Sequence, residues 1–329
     1  VTLGVASLGG ITIDIVRGAD GSYAGGLLGG NATYGAWGAS LWLDDGDSHL
    51  VGLVGGDFPR PWLQAVAKAG IAVDAVEVVE TVATSVWRMA YADGEQRSDL
   101  DPRTLSSDGV VTQAGSAGPM RREAQPGELE PRLGGNEDLL ARLVAVHCAP
   151  VQPPVLLDNL PRLRAHPLTV LVDPGEESST WSDDTMAEVL AQTDVYCPSL
   201  DDLAERRRED PPATAGRLCA LGPGTVVVKL GAGGSLVHSG GRSILIPAAP
   251  AAVVDPTGAG DSYCGAFAAG LVRFGDPFVA GVLASATASI AVEHSGLLDC
   301  LGAHRASVRL RAQTVADRVG LALPVLTDA

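Results

Sequence analysis

Residues 253–262 read Val253-Val254-Asp255-Pro256-Thr257-Gly258-Ala259-Gly260-Asp261-Ser262 and run directly into an alanine-rich stretch that reads as a helix to about Arg273. A strand, a glycine turn and a helix N-terminus in this order predict an anion hole. The first amides of a helix have no intrahelical acceptor, and the helix dipole favours negative charge beside them. Asp261 at that point can cap the helix, or it can take a proton from a hydroxyl held beside a phosphoryl group. A bare cap and turn remain the structural alternative, although two aspartates flanking Thr257-Gly258-Ala259-Gly260 are more than a cap requires. The stretch is not a GxxxxGK[ST] phosphate loop. No GxGxxG follows the first predicted strand, and Gly231-Ala232-Gly233-Gly234 after Lys229 imitates one only superficially.

Outward from this turn, the pattern is that of alternating strands and helices. Strands are expected near 1–8, 12–16, 50–54, 143–147, 168–173, 195–197 and 225–230, with a hairpin at 235–237 and 243–246. Helices are expected near 32–41, 61–69, 184–191, 260–273, 277–293 and 307–319. Thr225–Leu230 is almost continuously apolar, as a strand buried on both faces should be. Such alternation predicts an α/β fold with a mostly parallel sheet covered on both sides, and ligands at the carboxyl ends of its strands. The runs within 71–92 are more mixed in polarity. Together with 12–30 they predict a small accessory sheet spanning parts of 12–30 and 71–100, within one domain over 1–329. Asp93-Gly94 reads as a hairpin turn. Residues 100–135 lose all periodicity and read as an insertion, short helix or disorder.

The 329 residues are 46% hydrophobic and 19% charged, which allows a sizeable core. With 23 basic and 39 acidic residues the formal charge is −16, a balance that argues against nucleic acid and anionic membranes as partners. Five scattered cysteines, with no CxxC, give no disulfide framework and point to a reducing cytoplasm. No signal-peptide pattern or apolar run of membrane-spanning length is read in the chain.

The segment Asp255-Pro256-Thr257-Gly258-Ala259-Gly260-Asp261-Ser262-Tyr263-Cys264-Gly265 resembles the C-terminal signature of the ribokinase-like (PfkB) family of carbohydrate and nucleoside kinases. Gly29-Gly30-Asn31 before a small-residue helix resembles that family's N-terminal signature. The resemblance implies a three-layer α/β/α domain with a small β-sheet lid, ATP-dependent phosphorylation of an alcohol group, and often a homodimer through the lid. It assigns Asp261 as the base and Gly258, Ala259 and Gly260 as the anion hole. Asp14, Gly30 and Asn31 would hold the acceptor's hydroxyls, and Lys229, Gly231 and Gly233 would line the nucleotide with Gly258 and Gly260. Asp255, with carbonyls near 292–296, would hold a monovalent cation such as K+.

Two departures from the family pattern stand out. Where an Asn-x-x-Glu motif usually organises Mg2+, this chain has Ser199-Leu200-Asp201-Asp202, so Asp202 keeps the charge at shorter reach and the amide is lost. Beyond Asp173-Pro174, where the family often shows an Asn and an Arg, the chain reads Gly175-Glu176-Glu177. Trp87 and Arg88, on a lid strand, are candidates to close over a substrate, or simply half-exposed strand residues. His147, His166, His238 and His294 read as core or surface histidines, and Cys264 as small-residue packing. The leading expectation is an ATP-dependent sugar or polyol kinase, with a nucleoside kinase and a catalytically impaired ligand-binding protein of the same fold as alternatives.

Overall fold

The computed structural model describes residues 3–17, 23–92, 96–99, 121–125, 127–134, 136–203 and 210–325. Thirteen strands are found among them: β1 Gly4–Leu8, β2 Thr12–Arg17, β3 Tyr23–Gly29, β4 Ser48–Gly55, β5 Ile71–Val79, β6 Val86–Ala92, β7 Gln96–Asp99, β8 Leu143–Cys148, β9 Thr169–Val172, β10 Val195–Tyr196, β11 Thr225–Lys229, β12 Ser235–Ser239 and β13 Arg242–Ile246. Nine of these form one sheet in the order β13-β12-β11-β10-β9-β8-β1-β4-β5. It is parallel from β5 to β11 and ends in the antiparallel hairpin β12–β13.

Helices cover both faces. On one side α1 (Asn31–Ser40), α2 (Arg60–Lys68), α6 (Ala259–Phe274), α7 (Pro277–Ala291) and α8 (Arg305–Val319) contribute residues to one core. On the other, α3 (Pro153–Arg164), α4 (Asp183–Leu190) and α5 (Pro211–Cys219) pack a second. This three-layer arrangement explains why Thr225–Val228 of β11 are all buried. Helix α3 has no counterpart in the sequence reading because its prolines look like breakers. Two sit at its first positions, where no amide bond is lost, and Pro161 is carried in its interior by the buried Leu156, Leu160 and Leu163. Helix α5, also opened by proline, is capped by Asp210, which accepts from the Ala213 amide.

The second sheet has the order β3-β2-β6-β7, with β2 parallel to β6 and the other pairs antiparallel. This small sheet corrects part of the lid boundary expected from sequence. Residues 71–79 form β5, the edge strand of the large sheet, and the lid begins at β6. The mixed polarity of β5 therefore reflects an exposed edge rather than a separate sheet. A second correction concerns Val253 and Val254, which form no strand. They lie in irregular chain and are 60% and 65% exposed. The expected hairpin turn at 93–94 and most of the 100–135 segment lie outside the described residues. No helix among the described residues is long and apolar enough to cross a membrane.

Candidate active site

Glycine contacts bring the two signatures together. A Cβ on Gly265 would strike the carbonyl of Gly35, and one on Gly38 would strike that of Ser262. Helices α1 and α6 therefore meet backbone to backbone, which only glycine at these positions allows. As a result the start of α1, which directly follows the lid strand β3, lies beside the N-terminus of α6.

Gly258 caps α6 in the left-handed conformation at φ 76°, and a Cβ there would collide with the Tyr34 ring. Tyr34 is the hub of the site. Burial, followed by Cys300 and then the carboxylates Asp14, Asp255 and Asp261, pushes its hydroxyl well above the ordinary tyrosine value. Three carboxylates separated by up to 247 residues of sequence thus lie close enough to act on one phenol.

At the turn, the Ala259 amide donates to the Pro256 carbonyl at 3.2 Å, so it is spent on the turn itself. Among the described residues the amides of Gly258 and Gly260 are bonded to no backbone acceptor. The anion-hole role expected of all three residues thus has its best-placed donors at the two glycines. Asp261 stands in the first helical turn and is half-buried.

Asp255 is only 4% exposed. Its Oδ1 accepts from the Thr257 amide at 2.9 Å and its Oδ2 from Ser295 Oγ at 3.1 Å. The Val254 and Asp255 amides both donate to the Val292 carbonyl. The structure therefore joins Asp255 to the 292–296 segment through the chain's own hydrogen bonds.

On the lid side, Asp14 is buried and accepts from Thr12 Oγ1 at 2.6 Å. A Cβ on Gly29 would fall on its carboxylate. Asn31 uses both ends of its amide on backbone: Oδ1 accepts from the Gly10 amide at 2.8 Å and Nδ2 donates to the Pro150 carbonyl at 2.6 Å. Gly30, at φ 100°, packs against Gly10 so closely that a side chain there would meet its carbonyl. Asn31 and Gly30 thus hold the shape of the loops beneath the lid. Trp87 is register-paired with Asp14 across β2 and β6, which puts both side chains on one face, and its ring is 47% exposed. Arg88 is paired with Ile15 and donates weakly to the Val86 carbonyl at 3.4 Å.

At the end of β11, Gly231–Gly233 form an exposed 3-10 turn, with open space around Gly231. Asp202 lies nearby, its Oδ2 accepting from the Ser199 amide at 2.6 Å. Burial raises its pKa to about 6 even though Lys229 pulls it down. A hard oxygen donor stored at that cost fits Mg2+, which would hold it ionised. The sequence reading missed Tyr34, Asp173 and the buried His147 as parts of this region. The signals available were an aromatic residue, Tyr34, among the small residues that separate it from Trp37, and a carboxylate at the carboxyl end of a parallel strand.

The three-layer domain with its small separate sheet has the fold of the ribokinase-like kinases. A family model described as pfkB family carbohydrate kinase matches residues 156–303, somewhat under half of the chain. Over 278 residues it is 26% identical to a cytidine kinase of Thermococcus kodakarensis, an alignment covering 82% of this chain and 89% of that relative. An Arabidopsis thaliana ribokinase complexed with ribose and ATP superposes with a TM-score of 0.67 at 22% identity, covering 95% and 99% of the two chains. A Burkholderia thailandensis nucleoside kinase in complex with inosine gives 0.71 at 17%, covering 95% and 98%. At these identities the two solved structures establish the fold.

Proposed function

We propose that the chain transfers the γ-phosphoryl group of ATP to a hydroxyl of a sugar or related polyol, with Asp261 as the base. The observation that carries this reading is the left-handed Gly258 turn packed on Tyr34, with Asp255 bonded inside the turn and Asp261 in the first turn of the helix it opens, and with Asp14 of the lid close enough to act on the same phenol. Asp14 would accept from acceptor hydroxyls and fix their orientation. Asp261 would take the proton of the attacking hydroxyl as its oxygen forms the new bond to phosphorus and the bond to the bridging oxygen of ADP breaks. The Gly258 and Gly260 amides would stabilise charge on the transferring group. Gly231 and Gly233 present open backbone to the nucleotide. Asp202 would hold Mg2+, whose charge offsets that of the phosphates when bound. Asp255 braces the turn, with K+ as a further ligand of that loop pair. A homodimer through the lid belongs to the same reading and is checked by scattering in solution.

The purified protein with ATP and Mg2+ is expected to phosphorylate a member of a panel of pentoses, hexoses, inositols and nucleosides. Asp261→Asn should lower kcat by about 10³-fold with little change in melting temperature. Unchanged activity in that variant would remove the proposed base.

A nucleoside acceptor is the second reading. The exposed Trp87 face lies on the same side of the lid as Asp14, where it can stack on a base while the carboxylate holds the ribose. The cytidine kinase and the inosine-bound relative support the same choice.

A further inference from the structure

Beneath the glycine turn lies a second set of polar side chains, inside the protein. Lys229 closes β11, and its side chain is only 11% exposed. Its Nζ sits 2.5 Å from Asp173 Oδ2 and 3.9 Å from Cys264 Sγ. A Cβ on Gly260 would lie 3.3 Å from that Nζ, so the ammonium rests against the first turn of α6. Burial works against the charge on Lys229, yet Asp173, with Cys264 and Asp202, holds it well above the ordinary lysine value. The chain has two lysines, Lys68 and Lys229, and one of them is committed to this place.

Asp173 is surrounded by more donors than one ion pair needs. Cys264 Sγ donates to the same Oδ2 at 3.4 Å, and the Gly175 amide to Oδ1 at 3.3 Å. A ring nitrogen of His147, the Cys264 sulfur and an Asp173 oxygen all lie within 4.8 Å of one another. His147 is fully buried, its Nδ1 pairs with Ser7 Oγ at 2.9 Å, and its Nε2 has no hydrogen-bond partner. A buried polar atom without a partner calls for an explanation. A transition metal is a poor one, because the Lys229 ammonium already supplies the positive charge of this cluster. A second arrangement, in which the lysine has left and the imidazole turns to Asp173, is a better one.

The need for such a departure lies directly above. Asp255 and Asp261 flank the turn with two carboxylates, so a polyphosphate entering it is helped by a cation, and Lys229 Nζ lies beside Gly260, 3.3 Å from where a Cβ there would stand. We propose that Lys229 is a catalytic residue: when phosphates reach the turn, its ammonium exchanges Asp173 for the phosphoryl oxygens beside Gly260, while Cys264, Gly175 and the spare His147 Nε2 keep Asp173 satisfied. No proton moves in this exchange, only the partner of the charge. The proposal rests on the phosphotransferase reading above.

Lys229→Met alone would strand a buried carboxylate, so the deciding protein is the double variant Lys229→Met/Asp173→Asn, which removes both charges together. Its melting temperature, its calorimetric affinities for AMP and for ATP with Mg2+, and its kcat are compared with those of the wild type. Expected are a melting temperature within a few degrees, unchanged AMP affinity, ATP affinity down about tenfold and kcat down about 100-fold. Lys229→Arg should recover part of both. A double variant with wild-type ATP affinity and kcat would show the pair to be structural and overturn the proposal, as would equal losses for AMP and ATP. A wild type that binds ATP but phosphorylates no acceptor would defeat the kinase reading, and the ATP-to-AMP ratio would still decide the role of Lys229.

Discussion

The two halves of the candidate site are built on different plans. The half proposed to take the phosphates is one uninterrupted peptide, 255–261, in which turn, amides and the proposed base follow one another and the helix fixes their geometry. The half proposed to take the acceptor is assembled from β2, β3, β6 and the start of α1, and Asn31 there is held by hydrogen bonds to other loops. Asn31 shows the consequence: its amide ties Gly10 to Pro150 rather than standing free for a ligand. Groups that act through backbone stay where local chain puts them, whereas groups on a separate sheet need side chains spent on fastening that sheet. Substrate choice is therefore expected to be easier to alter than phosphoryl transfer.

Gly258→Ala tests the rigid half. The new methyl group would collide with Tyr34 at a backbone angle that alanine avoids. A loss of about 100-fold in kcat is expected, because small displacements of a reacting geometry are costly, together with a lower melting temperature. Wild-type kinetics from this variant would show that the turn tolerates movement and would erase the contrast.

Trp87→Ala tests the adaptable half. KM for a nucleoside acceptor should rise about tenfold, with no change for a free sugar and none in melting temperature, since the ring is half-exposed. An unaltered nucleoside KM would remove Trp87 from the acceptor site.

Exchanging Na+ for K+ at constant ionic strength probes the brace between 255 and 292–296. A several-fold rise in kcat that disappears in Asp255→Ala is expected if the cation joins that loop pair. Equal rates in both salts would leave Asp255 as a hydrogen-bonding clamp alone.

The smallest effect concerns Asp202. Because burial lifts its pKa to about 6, the folded state prefers the protonated form. The stability from that preference is complete below about pH 4, the ordinary carboxylate range, and is lost as pH rises through 6. Asp202→Asn keeps an acceptor for Ser199 and removes the charge. It should raise the melting temperature of the ligand-free protein by a few degrees at pH 8, on the order of 1–3 kcal/mol, and change nothing at pH 4. No gain at pH 8 would mean that Lys229 already compensates the carboxylate.

Much of the fold could be read from sequence because its signals are local. The apolar run at 225–230, the aspartate cap at 276 and the glycines at 258 and 275 each impose their conformation within a few residues. The α3 helix escaped for a local reason too: proline is read as a breaker, and only the burial of Leu156, Leu160 and Leu163 against the sheet outweighs it. Strand β5 was recognised as a strand but placed in the wrong sheet, since an edge strand and a lid strand share the same mixed pattern.

The sequence by itself determined the turn and helix N-terminus at 255–261 and carried the proposal of an anion site there, because a turn, free amides and a carboxylate need no partner from elsewhere to suggest one. Only the tertiary structure decided what surrounds it. Tyr34 lies under Gly258, Asp14 is close enough to act on the same phenol, and Lys229 is paired with Asp173 beside Gly260, through packing between residues 224, 20 and 56 positions apart. Nothing in residue order encodes such distances: they follow from glycine contacts that let α1 and α6 touch, and from a parallel sheet that delivers its strand ends to one edge.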